Sequence, residues 1–308
     1  MTTGGQLLPN LIIAGAPKSG TSSVHDWLAA HPQANGSEPK ETYYFVDPGT
    51  HMHDPACHIA NGLAGYARFF RPKAGQPACV VFESTPGYLY YPTAIEGLHD
   101  LPTAARILFI LREPAAQIYS GYRYFRENWD WVPQSMSFAA YIAAVRAGSH
   151  AFKGNELAVN ALDYGDYCHH LLKWRERFGA DRIKVMLFDD LLADEAGFMK
   201  DICTWLGIDP TFYDSYDFPR ANETYAVRSA AIQKINIAIR RFLVPLGGLY
   251  RFARGIYRRL NTQKPTGPSA EDRAVMRALK SEFAPANARL AREFGLDLSA
   301  WSEEVSNR

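Results

Sequence analysis

The residues best suited to chemistry cluster near the start of the chain, in "NLIIAGAPKSGTSSVHDWLAAHP", residues 10–32. A short apolar run empties into a loop of small residues, and an amphipathic stretch follows. A strand that enters a Gly/Ser-rich turn and then a helix N-terminus is a ready anion cradle. Small residues let main-chain N–H groups converge, and the helix dipole adds partial positive charge. Pro17, Lys18, Ser19, Gly20, Thr21, Ser22 and Ser23 make up that turn: four hydroxyl donors and one full charge. A plain strand–helix connection needs fewer polar groups.

The loop is not the ATP/GTP-binding Walker pattern G-x-x-x-x-G-K-[ST]. Gly15 and Gly20 have its spacing, but Thr21 stands where the lysine belongs and Lys18 falls inside the loop. A Walker enzyme also needs a metal-holding aspartate at a neighbouring strand end. The most apolar candidate, "RILFILRE", delivers Arg112 there, a residue that binds an anion directly. Because "VMLFDD" ends in Asp189 and Asp190, a P-loop nucleotide-dependent kinase stays open as an alternative. So does a non-catalytic adenine-nucleotide-binding protein.

"APKSGTSS" resembles the 5′-phosphosulfate loop of the sulfotransferases that use 3′-phosphoadenosine 5′-phosphosulfate (PAPS). "LREPAAQIYSGY" resembles their 3′-phosphate motif, with Arg112 and Ser120 on its two binding positions. The two motifs stand in the family's order and separation. The resemblance continues through "ETYYF", "FESTPGY", "RIKVMLFDDLLAD" and "GLDLSAW", and is nearest to the heparan-sulfate-type and bacterial branch. It implies PAPS as donor substrate, 3′,5′-ADP as product and no metal. Lys18 then contacts the bridging oxygen of the donor, and 17–23 hold its phosphosulfate. In "KETYYF" the resemblance puts Glu41 on the position of the general base that deprotonates the acceptor. It also offers Tyr225 and Arg228, in "NETYAVRS", as contacts to the adenine or the 3′-phosphate. One departure stands out: Ser84 occupies the place where this branch usually carries a lysine after Glu83, and Lys40, beside the proposed base, is the candidate to compensate. Glu83 itself reads as a buried structural acid.

The elements that must position these groups are legible as alternating strands and helices. The runs 11–16, 78–85, 105–113 and 182–191 are β-type and continuously apolar, as expected of parallel strands covered on both faces. Helical patterns follow them, including "PAAQIYSGYRYFREN" with Pro114 in the first turn. The expected fold is α/β, P-loop-like, with a mostly parallel sheet, helices on both faces and a helical C-terminal cover. No linker divides the chain, so a single domain over 1–308 is expected, with an α/β core over about 9–215 and the cover over 216–308.

Composition narrows the partners. The chain has 308 residues, 47% hydrophobic and 21% charged, with a net charge of +1, which argues against nucleic acid and against a long polyanionic acceptor. Aromatic clusters ("TYYF", "GYLYYP", "YSGYRYFRENWDW") suit a carbohydrate, glycolipid or natural-product acceptor. The arginine-bearing stretch over 240–260 allows membrane contact, although a helix pair with snorkelling arginines is the favoured reading. The histidines His51, His53 and His58 read as a polar loop beside the acceptor cleft rather than a zinc site. Four scattered cysteines and the lack of a signal-peptide pattern lead to the expectation of a cytoplasmic protein.

Overall fold

A computed structural model describes residues 2–3, 6–72, 79–219, 226–227, 262–263 and 267–302. Five parallel strands form the main sheet: β1 (Leu11–Gly15), β2 (Ala34–Gly36), β3 (Val80–Glu83), β4 (Arg106–Leu111) and β5 (Ile183–Leu187). Their spatial order is 2-3-1-4-5. The expected α/β fold with a parallel sheet is therefore present. Two-residue antiparallel ladders join Thr2–Thr3 to Gln6–Leu7 and Ala226–Val227 to Thr262–Gln263.

The continuous apolar runs have a direct structural cause. Along β1, Ile12 and Ala14 pack into one buried cluster with Ile107, Phe109 and Trp174. Leu11 and Ile13 pack into another with Val24, Leu28, Leu108 and Ile202. Alternate side chains thus enter opposite layers, and neither layer faces water. Helices α1 (Thr21–Ala30) and α9 (Glu195–Leu206) supply one layer; α3 (Pro92–His99) and α7 (Tyr167–Phe178) supply the other.

Further helices are α2 (Leu63–Ala67), α4 (Pro114–Tyr124), α5 (Phe138–Ala147), α6 (Glu156–Val159), α8 (Phe188–Ala193), α10 (Ala270–Phe294) and α11 (Ser299–Ser302). Helix α10 opens on a Ser269/Asp272 capping box and covers α4 and α5 through Met276, Leu279 and Phe283, packed with Tyr122 and Phe138. No helix among the described residues is long and apolar enough to cross a membrane. Tyr225, Arg228 and the whole arginine-bearing stretch over 240–260 lie outside the described residues.

The strand order reverses beside β1, because the chain leaves it toward β2 and later returns across it to β4. Ligand crevices in open parallel sheets form at that point, beyond the carboxyl ends of the strands. The ends of β1, β3 and β4 deliver the loop 16–20, Ser84–Thr85 and Arg112 to one rim.

Candidate active site

The loop after β1 is built on two glycines that no other residue replaces freely. At Gly15 an added Cβ would lie 2.8 Å from Leu89 Cβ, so the strand end needs a bare backbone there. Gly20 has φ +81° and its added Cβ would sit 2.7 Å from Leu191 Cδ2, which demands glycine on both counts. No side chain caps the first turn of α1. At α4 the opposite holds: the Glu113 carboxylate accepts the Ala115 and Ala116 N–H groups at 2.9 and 2.8 Å. The donors of α1 are therefore the ones left for an anion. Ser19 Oγ, fully buried in the same loop, has no partner among the described residues, so the donor set fits a phosphate or sulfate group.

Helix α4 braces this loop. Arg112 Nη1 donates to the Lys18 carbonyl at 3.3 Å, and Gln117 Nε2 donates to the Pro17 carbonyl at 3.0 Å. The Lys18 ammonium lies 4.2 Å from the centre of the Tyr124 ring. Gln117, Ser120 and Tyr124 follow an i, i+3, i+7 spacing, so Ser120 shares the helix face that meets the loop. Lys18 and Arg112 are thus brought together, with Ser120 on the α4 face that carries Gln117 and Tyr124. Gln117 carried no sequence signal, since a mid-helix glutamine is ordinary until its partner is known.

The cations tune one another. Loss of hydration, with Arg112 and then Lys40 adding repulsion, lowers the Lys18 pKa from the ordinary lysine value to about 8, although Glu41 pulls the other way. Arg112 is also lowered by burial, and its guanidinium lies over the Phe188 ring at 5.0 Å. Phe188 touches the Gly20 position too, so the start of α8 backs both groups.

Glu41 faces the same cluster. Lys40 Nζ lies 2.9 Å from Glu41 Oε1, and the Tyr43 hydroxyl donates to Oε2. Burial, with the Glu41 charge next to it, pushes the Tyr43 phenol well above its ordinary value and keeps it a donor. Behind this segment Glu83 is fully buried. Its carboxylate accepts from Thr42 Oγ1 at 2.7 Å, Thr85 Oγ1 at 2.8 Å and the Tyr66 hydroxyl. Glu83 thereby clamps the residue after Glu41 to the end of β3. Ser84 Oγ meets His25 Nδ1 at 2.8 Å, in a buried pair. Burial beside Lys40 drives the His25 pKa down to about 3, so its ring is neutral. The Lys40 ammonium is thus the cation adjoining Glu41.

The histidine cluster divides. His58 Nε2 donates to the Val46 carbonyl at 3.0 Å and Nδ1 accepts the Ala60 N–H at 3.2 Å, a local cap. His51 instead joins Glu156, with Nδ1 at 2.7 Å from Oε2. Asp189, one of the two aspartates behind the kinase alternative, accepts the Trp301 indole N–H at 2.9 Å.

Residues 93–226 match the family model described as "Sulfotransferase domain", a span that takes in Arg112 and Ser120 and excludes Lys18 and Glu41. The chain is 26% identical over 208 residues to human bifunctional heparan sulfate N-deacetylase/N-sulfotransferase 2, covering 66% of this chain and 22% of that protein. It is 24% identical over 209 residues to the Caenorhabditis elegans protein 1 of that name, covering 68% and 23%. The matched span is thus under a quarter of the length of these relatives. In fold it is similar to a sulfotransferase from Alicyclobacillus acidocaldarius, with TM-score 0.66, 23% identity, and coverage of 96% of this chain and 100% of that one. Over residues 93–226 the chain is thus similar to sulfotransferase domains, and the solved structure adds a likeness of fold.

Proposed function

We propose that the chain transfers the sulfuryl group of PAPS to a hydroxyl or amine of a carbohydrate, glycolipid or small-molecule acceptor, releasing 3′,5′-ADP. In this reading the loop amides, Ser19, Thr21, Ser22, Ser23 and Lys18 bind the 5′-phosphosulfate, while Arg112 and Ser120 bind the 3′-phosphate. Glu41 takes the acceptor proton as the acceptor atom forms its bond to sulfur in line with the bond that breaks. The electron pair of that broken bond stays on the phosphate oxygen, where Lys18 stabilises it. The sulfuryl group carries less negative charge than a phosphoryl group, so positioned cations and amides suffice without a metal.

The observation that carries this reading is the Arg112 contact to the Lys18 carbonyl. It joins the strand-end cation and the anion loop in one pocket, as a nucleotide with charge at both ends requires. A guanidinium has five N–H donors, so this contact leaves others for phosphate oxygens. Calorimetric titration with 3′,5′-ADP, with and without EDTA, tests the donor site: equal micromolar-range binding is expected in both, and EDTA-sensitive binding would count against it. The base assignment predicts that Glu41→Gln binds 3′,5′-ADP as the wild type does but loses PAPS turnover by roughly 100-fold or more. Full activity in that variant would refute the assignment.

A further inference from the structure

We propose that His51, Glu156, Tyr91 and the Trp129/Trp131 pair form the acceptor subsite, and that it takes the face of a neutral, hydroxyl-bearing sugar ring. This rests on the transfer reading above for its role, though not for its chemistry. Glu156 Oε2 accepts both the His51 main-chain N–H at 3.0 Å and His51 Nδ1–H at 2.7 Å, while the Tyr91 hydroxyl donates to Oε1. Burial raises the Glu156 carboxyl, but the bonds from His51 and Tyr91 outweigh it and leave the pKa below the ordinary value. An ionised Glu156 fixes the proton on Nδ1. Nε2 of His51 is then an acceptor with no protein partner among the described residues, on a side chain only 11% exposed.

Beside that ring nitrogen stand two indoles. The Trp131 ring meets His51 edge-on with centres 5.1 Å apart, and Trp129 stacks on Trp131 at 5.0 Å with 5° between planes. Helix α4 ends in a wide turn, Phe125–Trp129, and Asp130 follows at φ +55°, which brings both half-exposed indoles to one side. That turn continues the helix whose Tyr124 lies under the Lys18 ammonium, so five residues of chain, about 8 Å of helix rise, separate Tyr124 from Trp129. On the other wall Tyr91 lies near enough to Tyr43, the donor to Glu41, for the two phenols to disfavour each other's ionisation. Tyr43 therefore links the network to the proposed base.

Charge selects among ring-bearing acceptors. The nearby cations are paired: Lys153 with Asp130 at 3.2 Å, and Arg123 and Arg126 with Glu127 at 3.1 and 3.3 Å. The two arginines share one carboxylate, so with Glu156 the cluster is close to neutral and offers no positive field to attract a polyanion. An indole face and a lone imidazole acceptor suit the C–H face and one hydroxyl of a neutral pyranose.

The probes are cellohexaose (neutral), a heparosan hexasaccharide (polyanionic) and 4-nitrophenol (flat, without sugar hydroxyls). Each is titrated into the full chain, with and without saturating 3′,5′-ADP, with indole fluorescence and calorimetry as readouts. Cellohexaose is expected to bind and to quench indole emission. Trp131→Ala and Glu156→Gln should each weaken it roughly tenfold while leaving 3′,5′-ADP affinity unchanged, which also reports that the variants are folded. Tighter binding of the heparosan or the phenol, no binding of cellohexaose, or binding indifferent to both substitutions would overturn the proposal. Failure of 3′,5′-ADP to bind while cellohexaose binds as described would sink the donor reading and leave the sugar subsite standing.

Discussion

Arg112 and Lys18, 94 positions apart, meet through a guanidinium N–H donated to a main-chain carbonyl at 3.3 Å. With Gln117 on the Pro17 carbonyl, this turns two loop carbonyls toward α4 and leaves the loop N–H groups for the opposite side. The second motif therefore shapes the first as well as adding charge.

Gln117 is the simplest test of that bracing. Gln117→Ala removes one hydrogen bond of about 1 kcal/mol, so 3′,5′-ADP affinity should fall about threefold to tenfold with little change in melting temperature. Gln117→Glu should do worse, because its carboxylate faces the same carbonyl and repels the donor. Affinities measured by calorimetry decide the point; unchanged binding in both variants would show that the loop holds its shape alone.

The lowered Lys18 pKa, about 8, makes donor binding pH-dependent. A nucleotide bearing two phosphate groups favours the ammonium, so binding near pH 8 should take up a fraction of a proton at Lys18 and binding at pH 6 none there. Affinity should then decline above pH 8, approaching about tenfold per pH unit. Titrations in buffers of different ionisation enthalpy measure the uptake, and Lys18→Met should abolish it. The sign for folding follows from the same value: between about 8 and the unfolded lysine value of 10.5 the unfolded chain holds more protons, so Lys18 disfavours folding below that window and progressively less across it.

Glu83 predicts a stability effect. Glu83→Ala strands the Tyr66, Thr42 and Thr85 hydroxyls in a buried space and should cost about 3 kcal/mol or more, read as a fall in the denaturation midpoint. Glu83→Gln keeps an acceptor oxygen and should lose less. Burial raises the Glu83 carboxyl against the opposing hydrogen bonds. The native state thus keeps that proton to higher pH than the unfolded chain, so the group's contribution weakens as pH rises through the window above 4.5, and the Gln variant's deficit should shrink there.

Four strands were legible as mainly apolar runs, and β1, β3, β4 and β5 fall inside the runs read from the sequence; β1 and β3 are buried throughout and β4 beyond Arg106, while β5 is partly buried and carries Lys184. The edge strand β2 was not, since "ANG" has no apolar pattern and is held by its pairing with β3. The pattern read as one helix after Pro114 breaks at Tyr124 into the wide turn that aims the two tryptophans. Lys18 and Arg112, which a hydrogen bond joins, were readable because local motifs carry them. Gln117, the His25–Ser84 pair and the His51–Glu156 pair were not, because each depends on a partner 59 to 105 positions away.

The central claim is that one nucleotide spans the loop and the strand-end arginine. It is tested most directly by comparing 3′,5′-ADP with 5′-AMP, which lacks the 3′-phosphate, on wild type and Arg112→Ala. A charge-assisted contact to that phosphate predicts that the wild type prefers 3′,5′-ADP by roughly 100-fold and that the variant loses most of this preference while binding 5′-AMP almost as before. A variant that weakens both ligands equally, or neither, would contradict it.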